Sequence, residues 1–447
     1  MRTLVIESTP AVLRWCYEAE DERSEMFFSN RLVGIRQQDA NRWLWTEGGE
    51  RLTAFSDERI TVHGIWRNLL DAENAHPHDD AVLLTKCVNS IIAEERIINR
   101  LIFLIPECTP ETSQNALISE LSSAFGVAHN EVYLLWRSVA IALSESSAPN
   151  IPHRRIIADH AHLYAEASLL EWVNFKGSIC PMRDFTLERG QGIDFEPALN
   201  AWVTNNYSAP LGKTDLWGSS LAVSICSRLE QDLNFDPPQA WSKEGLNYSP
   251  VGASHDDFAQ SIPLEDVLKG LGEFISAKEL LADDHVMWHG WPIYWDGIQP
   301  LQKRFAASKL SEPDSAILGA QIFAQRHRLN EPTYVERLPG YEIWCQSSEL
   351  GMPKVRQWVE LVPREIVPGT DTLKPKPIDR FQINRGSKEF PLNIRLTNAD
   401  RYRFIEASLP ERIREDAPIL VNSQIRPTGG SVKISISPKE NPALFGR

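Results

Sequence analysis

The pattern of apolar and polar positions changes once along the chain. Before about residue 325, apolar runs typical of buried strands, as at 3–8, alternate with segments whose apolar residues recur at helical spacing, as at 79–93. After it, the apolar runs are short, alternate with polar residues and are separated by Pro, Gly and Asn. We therefore predict an α/β domain over 1–325 and a β-sandwich over 341–447.

Proline and glycine indicate where these two parts meet. Residues 326–340 are polar and are interrupted by two prolines and a glycine, so we predict a linker there. The order of strands and helices within the α/β domain indicates two lobes, at about 1–150 and 151–325.

The segment 285–325 is the most informative part of the α/β region. A strand at 285–288 is followed by a turn at Gly290 and by a predicted helix from Asp296. The sequence Glu-Pro-Asp at 312–314 then begins a second helix. That helix carries four small residues, which let it pack closely against a neighbour: Ala316, Gly319, Ala320 and Ala324.

Charge and composition disfavour some classes of partner. The 447 residues include 46 Lys and Arg against 60 Asp and Glu, a formal net charge of -14, which argues against nucleic acids and anionic membranes as partners. No apolar run is long enough to span a bilayer, and the first residues form a strand and not a signal peptide, so we expect a cytoplasmic protein. The six cysteines are scattered and are expected to be buried thiols.

The order of elements resembles that of a known family. Residues 100–144 give a strand ending in Pro, a helix with Ser-Gln, a short strand and a further helix, while GQGIDF at 190–195 matches a glycine turn and GGSVKISI at 429–436 a final hairpin. This order is similar to that of the heat shock protein 70 (DnaK-type) chaperones. The resemblance implies an α/β two-lobed actin-like ATPase fold, followed by a C-terminal β-sandwich that binds substrate peptides. The sequence ends at Arg447, before the helical lid of full-length family members.

The first phosphate-binding hairpin of that family is altered here. It aligns with residues 6–12, where Glu7 keeps a carboxylate that is one methylene longer than the family's aspartate. Thr9 stands at the glycine position, and Pro10 removes a backbone N–H that could donate to phosphate. The resemblance therefore implies a vestigial hairpin.

The second phosphate-binding hairpin is altered further. It aligns with residues 159–166, where Asp159 is kept, but all three glycines and the threonine are replaced. His162, Leu163 and Tyr164 are among the replacements, and their side chains would occupy the space that phosphates need.

Two more landmarks of the family's nucleotide site have changed. The catalytic glutamate falls at Trp136, and the glycine pair that accommodates adenosine falls at Gly290 and Trp291. If any nucleotide contacts persist, they would come from Glu7, Thr9, Asp159, His162, Gly192 and Gly290. We predict instead that bulky side chains fill the former nucleotide cleft: Trp136, Leu163, Tyr164 and Trp291.

These changes favour a protein that works without an ATPase cycle. We predict a chaperone-like protein on a degenerate heat shock protein 70 scaffold, which binds a polypeptide client or a protein partner and needs no cofactor. A structural subunit of a larger assembly is a variant of this prediction. The alternative is a slow ATP-dependent chaperone with non-standard phosphate loops, which would require ATP and Mg²⁺. No catalytic residue and no metal site is assigned.

Overall fold

The computed structural model of the chain contains two compact units. It describes residues 2–19, 25–29, 31, 33–37, 42–46, 59–92, 97–145, 154–161, 164–184, 190–194, 242–243, 246–247, 271, 274–276, 285–290, 305, 308–346, 356–409, 412–426 and 431–439. The first unit is Met1–Pro181 with Glu188–Pro332, and the second is Met182–Leu187 with Thr333–Arg447.

The amino-terminal part of the first unit contains one large sheet and one small sheet. Its strands are β1 (Thr3–Ser8), β2 (Leu13–Glu18), β3 (Met26–Ser29), β4 (Val33–Gln37), β5 (Arg42–Thr46), β6 (Arg59–Thr61), β7 (Arg100–Ile105) and β8 (Val132–Trp136). The first sheet has the order β3-β2-β1-β7-β8, and the second has the order β5-β4-β6. Strands β1 and β7 run parallel and are buried at every position, and each contains an uninterrupted apolar run, residues 4–6 in β1 and residues 101–105 in β7.

Five helices accompany these strands among the described residues. They are α1 (Val62–Leu70), α2 (Pro77–Ile91), α3 (Glu111–Phe125), α4 (Arg137–Ser144) and α5 (Ser315–Arg328). The predicted helix at 79–93 corresponds to α2, and the predicted small-residue helix corresponds to α5. The predicted helix from Asp296 lies outside the described residues.

The carboxyl-terminal part of the first unit is built on a second large sheet. Its strands are β9 (Arg154–Asp159), β10 (Tyr164–Phe175), β11 (Ser178–Asp184), β12 (Gly190–Asp194), β15 (His285–His289) and β16 (Ser308–Leu310), and a separate pair is formed by β13 (Ser242–Lys243) and β14 (Leu246–Asn247). In this unit the order is β16-β15-β9-β10-β11, and β12 also pairs with β10. The central strands β9 and β15 run parallel, which places His289 beside Asp159.

Helices α4 and α5 pack against each other at very short range. A Cβ added to Gly319 of α5 would overlap the carbonyl oxygen of Ala140 in α4. Ala316 and Ala320, on either side of Gly319, are fully buried. Helix α5 also contacts β1, so the small-residue face predicted from the sequence is the face that joins this helix to the core.

The second unit consists of β-strands around one apolar core. Its strands are β17 (Val335–Arg337), β18 (Tyr341–Gln346), β19 (Arg356–Val362), β20 (Ile366–Pro368), β21 (Ile378–Ile383), β22 (Glu389–Leu396), β23 (Arg403–Ser408), β24 (Ala417–Arg426) and β25 (Ser431–Pro438). One antiparallel sheet has the order β19-β18-β22-β23, and another has the order β21-β24-β25. Ile343 of the first sheet and Ile419 of the second belong to the same buried cluster.

The predicted linker at 326–340 is wrong. Helix α5 continues to Arg328, and β17 pairs in parallel with residues 182–184 and antiparallel with β20. Tyr334 and Val335 are 1% and 0% exposed, and because successive side chains of an extended segment point to opposite sides, this segment is buried on both sides. The unit boundary lies between Pro332 and Thr333, inside the predicted range.

Two further predictions concern membrane-spanning segments and the state of the cysteines. In this part of the chain, no helix is both long and apolar enough to cross a membrane. Four described cysteines are free thiols: Cys16, Cys87, Cys108 and Cys180.

Candidate functional site

Two carboxylates that the sequence singled out lie on either side of one buried arginine. Glu7, near the end of β1, accepts a hydrogen bond from Nη1 of Arg137 at 2.6 Å, and Asp159, the last residue of β9, accepts one from Nε of the same guanidinium at 2.6 Å. Arg137 reaches both because it is the first residue of α4, directly after β8. Its side chain is 1% exposed, so one cation joins the two large sheets of the first unit in the core.

A second arginine completes the charge balance of this cluster. Arg14 of β2 donates from Nη1 to the other oxygen of Glu7, at 3.1 Å. Two guanidinium groups therefore face two carboxylates, Glu7 and Asp159. A buried charge is tolerated when it is paired and hydrogen-bonded, and here both conditions are met.

The electrostatics keep this cluster ionised. Burial alone would raise the pKa of Glu7, but the attraction of Arg14 and Arg137 outweighs it and lowers that pKa below its ordinary value. Burial would lower the pKa of Arg137, but Asp159 and Glu7 raise it. These shifts favour the charged forms of Glu7 and Arg137.

Two histidines beside the network are neutral. Burial lowers the pKa of His160 and of His289 to about 4, although the nearby Asp159 acts in the opposite direction. The Nδ1 atom of His289 forms a hydrogen bond with Oγ of Ser311, at 2.8 Å. No group of three or more His, Cys, Asp or Glu within the described residues is placed to bind a metal ion.

In the turn between β1 and β2, the backbone N–H groups donate hydrogen bonds to acceptors within the turn itself. The N–H of Thr9 donates to the carbonyl of Val12 at 2.8 Å, and Oγ1 of Thr9 accepts from the N–H groups of Ala11 and Val12 at 3.2 and 3.0 Å. Pro10 has no N–H to offer. The backbone donors that a phosphate-binding hairpin would present are therefore already engaged within the turn.

The turn after β9 is closed in a similar way. The N–H of His160 donates to the carbonyl of His289 at 2.8 Å, and the N–H of Ala161 donates to Oδ1 of Asp159 at 3.1 Å. Gly290 has a φ of 110° and a Cβ added there would lie 2.5 Å from the carbonyl carbon of His160. The glycine is thus required by close packing against this turn.

A third carboxylate joins the two large sheets nearby. Glu166 of β10 accepts hydrogen bonds from the N–H groups of Glu107 and Cys108, at 2.7 and 2.8 Å, in the turn that follows β7. The carboxylate of Glu107 in turn accepts a hydrogen bond from the hydroxyl of Ser138. Burial raises the pKa of Glu166 to about 7, and the charges of Glu107 and Asp159 raise it too, whereas hydrogen bonds from the side chain of Cys108 and the N–H of Glu107 lower it.

The structure brings together some of the residues expected at the site. Glu7, Asp159 and Gly290 converge on the arginine network or on the turn beside it, and Thr9 forms the first turn. Trp136 is 2% exposed and directly precedes Arg137. For two other predicted residues, only backbone positions are described: Gly192 lies in β12 and Tyr164 in β10. His162, Leu163 and Trp291 lie outside the described residues, so the filling of the cleft by bulky side chains stays a prediction.

The two cations of the network, Arg14 and Arg137, were not among the residues predicted for the site. Arg137 stands within the apolar run VYLLWRSVAIAL, and Arg14 within VLRWCY. A charged residue inside such a run is a signal, since Arg is almost never fully buried unless it is paired. The partners could not be identified, because they lie far apart in the sequence.

Comparisons with known proteins support the fold. No protein-family model matches the chain, and no curated protein matches it. Among solved structures, MreB5 of Spiroplasma citri bound to AMPPNP has 10% sequence identity and a TM-score of 0.50, over 74% of this chain and 97% of that one. MreB5 of the same organism bound to ADP has 12% identity and a TM-score of 0.49, over 74% and 98%.

The similarity to the AMPPNP-bound structure is evidence about the fold alone. It supports an actin-like ATPase fold for this chain, and it does not single out the heat shock protein 70 family that the sequence resembled. At such low identity, no activity is transferred with the fold.

Proposed function

We propose that this protein is a nucleotide-independent binding or scaffold protein, chaperone-like in the sense that it binds a polypeptide client or a protein partner without an ATPase cycle. The observation that carries the proposal is the position of Arg137, between Glu7 and Asp159. Those are the two carboxylates that, by the family resemblance, would organise magnesium and the attacking water.

The charge balance at this position disfavours a magnesium nucleotide. In nucleotide sites, Mg²⁺ is bound by one or two carboxylates together with oxygens of the phosphate groups. The carboxylate oxygens must therefore be available to the metal ion. Here the guanidinium groups of Arg14 and Arg137 already neutralise Glu7 and Asp159 in a buried setting. A divalent cation entering the cluster would be repelled by two fixed positive charges or would have to displace them.

The available donors point the same way. A phosphate group needs several N–H donors that converge on it. The N–H groups of Thr9, Ala11, Val12, His160 and Ala161 are all hydrogen-bonded within the protein. Binding phosphate at these turns would break internal hydrogen bonds, which offsets the gain from new ones.

The contacts between the large sheets of the first unit favour a static body. Arg137 joins β1 to β9, and Glu166 joins β10 to the turn after β7. The contact of Gly319 with Ala140 leaves no room for a side chain between α5 and α4. A cycle of opening would have to separate buried charges from their partners, which is costly.

The second unit supplies the surface for binding in this proposal. Its two antiparallel sheets share one apolar core, which supports interpreting it as a β-sandwich. Sheets of this kind bind extended polypeptides by adding a strand at an open edge. The proposal therefore assigns partner binding to the second unit and a supporting role to the first.

Calorimetric titration with ATP and with ADP in the presence of Mg²⁺ tests the proposal. We expect no binding heat and no shift of the thermal unfolding midpoint, from protein whose cooperative unfolding shows that it is folded. A nucleotide present at about 100 times its dissociation constant would stabilise the protein by about 2.7 kcal/mol, which such a measurement detects easily. Saturable binding of ATP would overturn the proposal and favour the slow ATP-dependent chaperone.

A further inference from the structure

The second unit contains a groove between two strands of different sheets. Its volume is about 790 Å³, within the range of roughly 300–1,000 Å³ that is typical of ligand sites. Residues of β23 and β25 line it, together with residues of β18, β19 and β22. Its apolar lining includes Leu361, Ile394, Ile405, Val432 and Ile434.

Both strands that border the groove are the last in their sheets. Among the described strands, β23 pairs with β22 alone and β25 pairs with β24 alone. The sheet of β25 has three strands, and the other sheet has four. One further strand beside β25 would therefore equalise the two sheets and cover the groove.

The groove and its rim expose large apolar side chains. Tyr402 is 60% exposed and Ile405 is 45% exposed, and both line the groove. Exposed apolar side chains that lie together on the surface are typical of a site that a partner covers.

The polar lining of the groove has one sign of charge. Of the described residues that line it, three are arginines and none carries a carboxylate. Arg395 is already engaged, because its Nε donates to Glu342 at 2.7 Å and its guanidinium lies over the ring of Trp358. Arg401 and Arg403 are exposed and form no ion pair with a described residue, in a chain whose net charge is -14.

We propose that this groove binds an extended segment of a partner polypeptide, which pairs with the open edge of β25, places alternate apolar side chains over Ile405 and Ile434, and brings carboxylates to Arg401 and Arg403. Alternation follows from strand geometry, since successive side chains of the added strand point to opposite faces. The inference rests on the proposed function in one respect, namely that the second unit binds a protein partner.

A fluorescent peptide of about ten residues tests the groove, with valine and isoleucine at alternate positions, serine and threonine between them, and aspartates at one end. Its matched control carries lysines in place of the aspartates. In fluorescence anisotropy, we expect the unmodified protein to bind the aspartate peptide about tenfold more tightly than the lysine peptide. The double variant Arg401→Glu/Arg403→Glu should reverse this preference, and Ile405→Asp should weaken binding of both peptides.

The control variant is Arg385→Glu/Arg412→Glu, which makes the same change of charge at exposed arginines that do not line the groove. It should leave both affinities within about twofold of the unmodified protein. If all variants bind the peptides equally well, the peptides bind elsewhere and the proposal is refuted. If the unmodified protein binds neither peptide, the proposal is also refuted. If Ile405→Asp instead converts a dimer to a monomer in size-exclusion chromatography, the occupant is a second copy of the chain. The nucleotide titration is independent of each of these outcomes.

Discussion

Replacing Arg137 with methionine should destabilise the first unit of the protein. The substitution keeps an unbranched side chain of similar length and removes the guanidinium. Glu7 keeps its contact with Arg14, whereas Asp159 loses both of its hydrogen bonds to the arginine and keeps the N–H of Ala161. Removing one partner of a buried ion pair costs about 3–5 kcal/mol, and because Glu7 keeps a cation, we expect about 3 kcal/mol.

Urea denaturation of the full chain, followed by tryptophan fluorescence and circular dichroism, measures this loss as the shift of the first unit's transition. The matched control is Arg100→Met, since Arg100 forms an ion pair with Glu131 at 2.9 Å that is only partly buried. A partly exposed pair of this kind contributes about 1 kcal/mol or less.

A second variant distinguishes loss of charge from loss of packing. Adding Asp159→Asn to Arg137→Met removes the carboxylate that loses its two hydrogen bonds to the guanidinium in the single variant. Because the main cost is a buried carboxylate that has lost these bonds, the double variant should recover at least half of the loss, about 1.5 kcal/mol or more. The reasoning is refuted if Arg137→Met costs no more than Arg100→Met, or if the double variant is less stable than the single one.

Three further predictions concern close packing and pH. Gly319→Ala should cost about 1–3 kcal/mol, because its methyl group would overlap the backbone of α4, whereas Leu318→Ala on the exposed side of the same helix should cost less; equal losses in thermal unfolding would contradict the packing argument. Gly290→Ala should lower the thermal midpoint more than Gly177→Ala. Both glycines have a positive φ, but only the added methyl group at Gly290 would overlap nearby backbone atoms. A larger loss for Gly177→Ala would contradict this reasoning. The raised pKa of Glu166 favours the folded state when this carboxyl is protonated, so its contribution is fully present below about pH 4.5 and is lost as the pH rises through about 7. Glu166→Gln should therefore flatten the fall in the urea midpoint over this range, and an unchanged pH profile would show that the carboxyl does not titrate there.

Much of the secondary structure could be predicted from the sequence. Periodicity located α2, and the small residues of α5 indicated its packing face before any contact was known. These features are local, because each depends on residues within a few positions of one another. The actin-like fold followed from the order of such elements.

The site was harder to predict, because its important contacts are not local. Aligning the sequence with a family pattern compares one position with another, and it drew attention to Glu7 and Asp159 by their chemistry alone. The cation between them comes from Arg137, which is 130 residues from Glu7 in the sequence and one residue after the position that the alignment examined. The prediction of a linker at 326–340 was wrong for a related reason. This polar segment contains a short buried strand, and the strands with which it pairs are distant in the sequence.

The bridging cation of the first unit is part of the chain itself. A protein whose halves are joined by a bound nucleotide gains stability in proportion to the logarithm of the ligand concentration, so dilution, dialysis or a chelator weakens it. The guanidinium of Arg137 is present at one copy per molecule and cannot be diluted, exchanged or chelated. The joint that it forms between β1 and β9 is therefore set during synthesis of the polypeptide, and it does not vary with the supply of any metabolite.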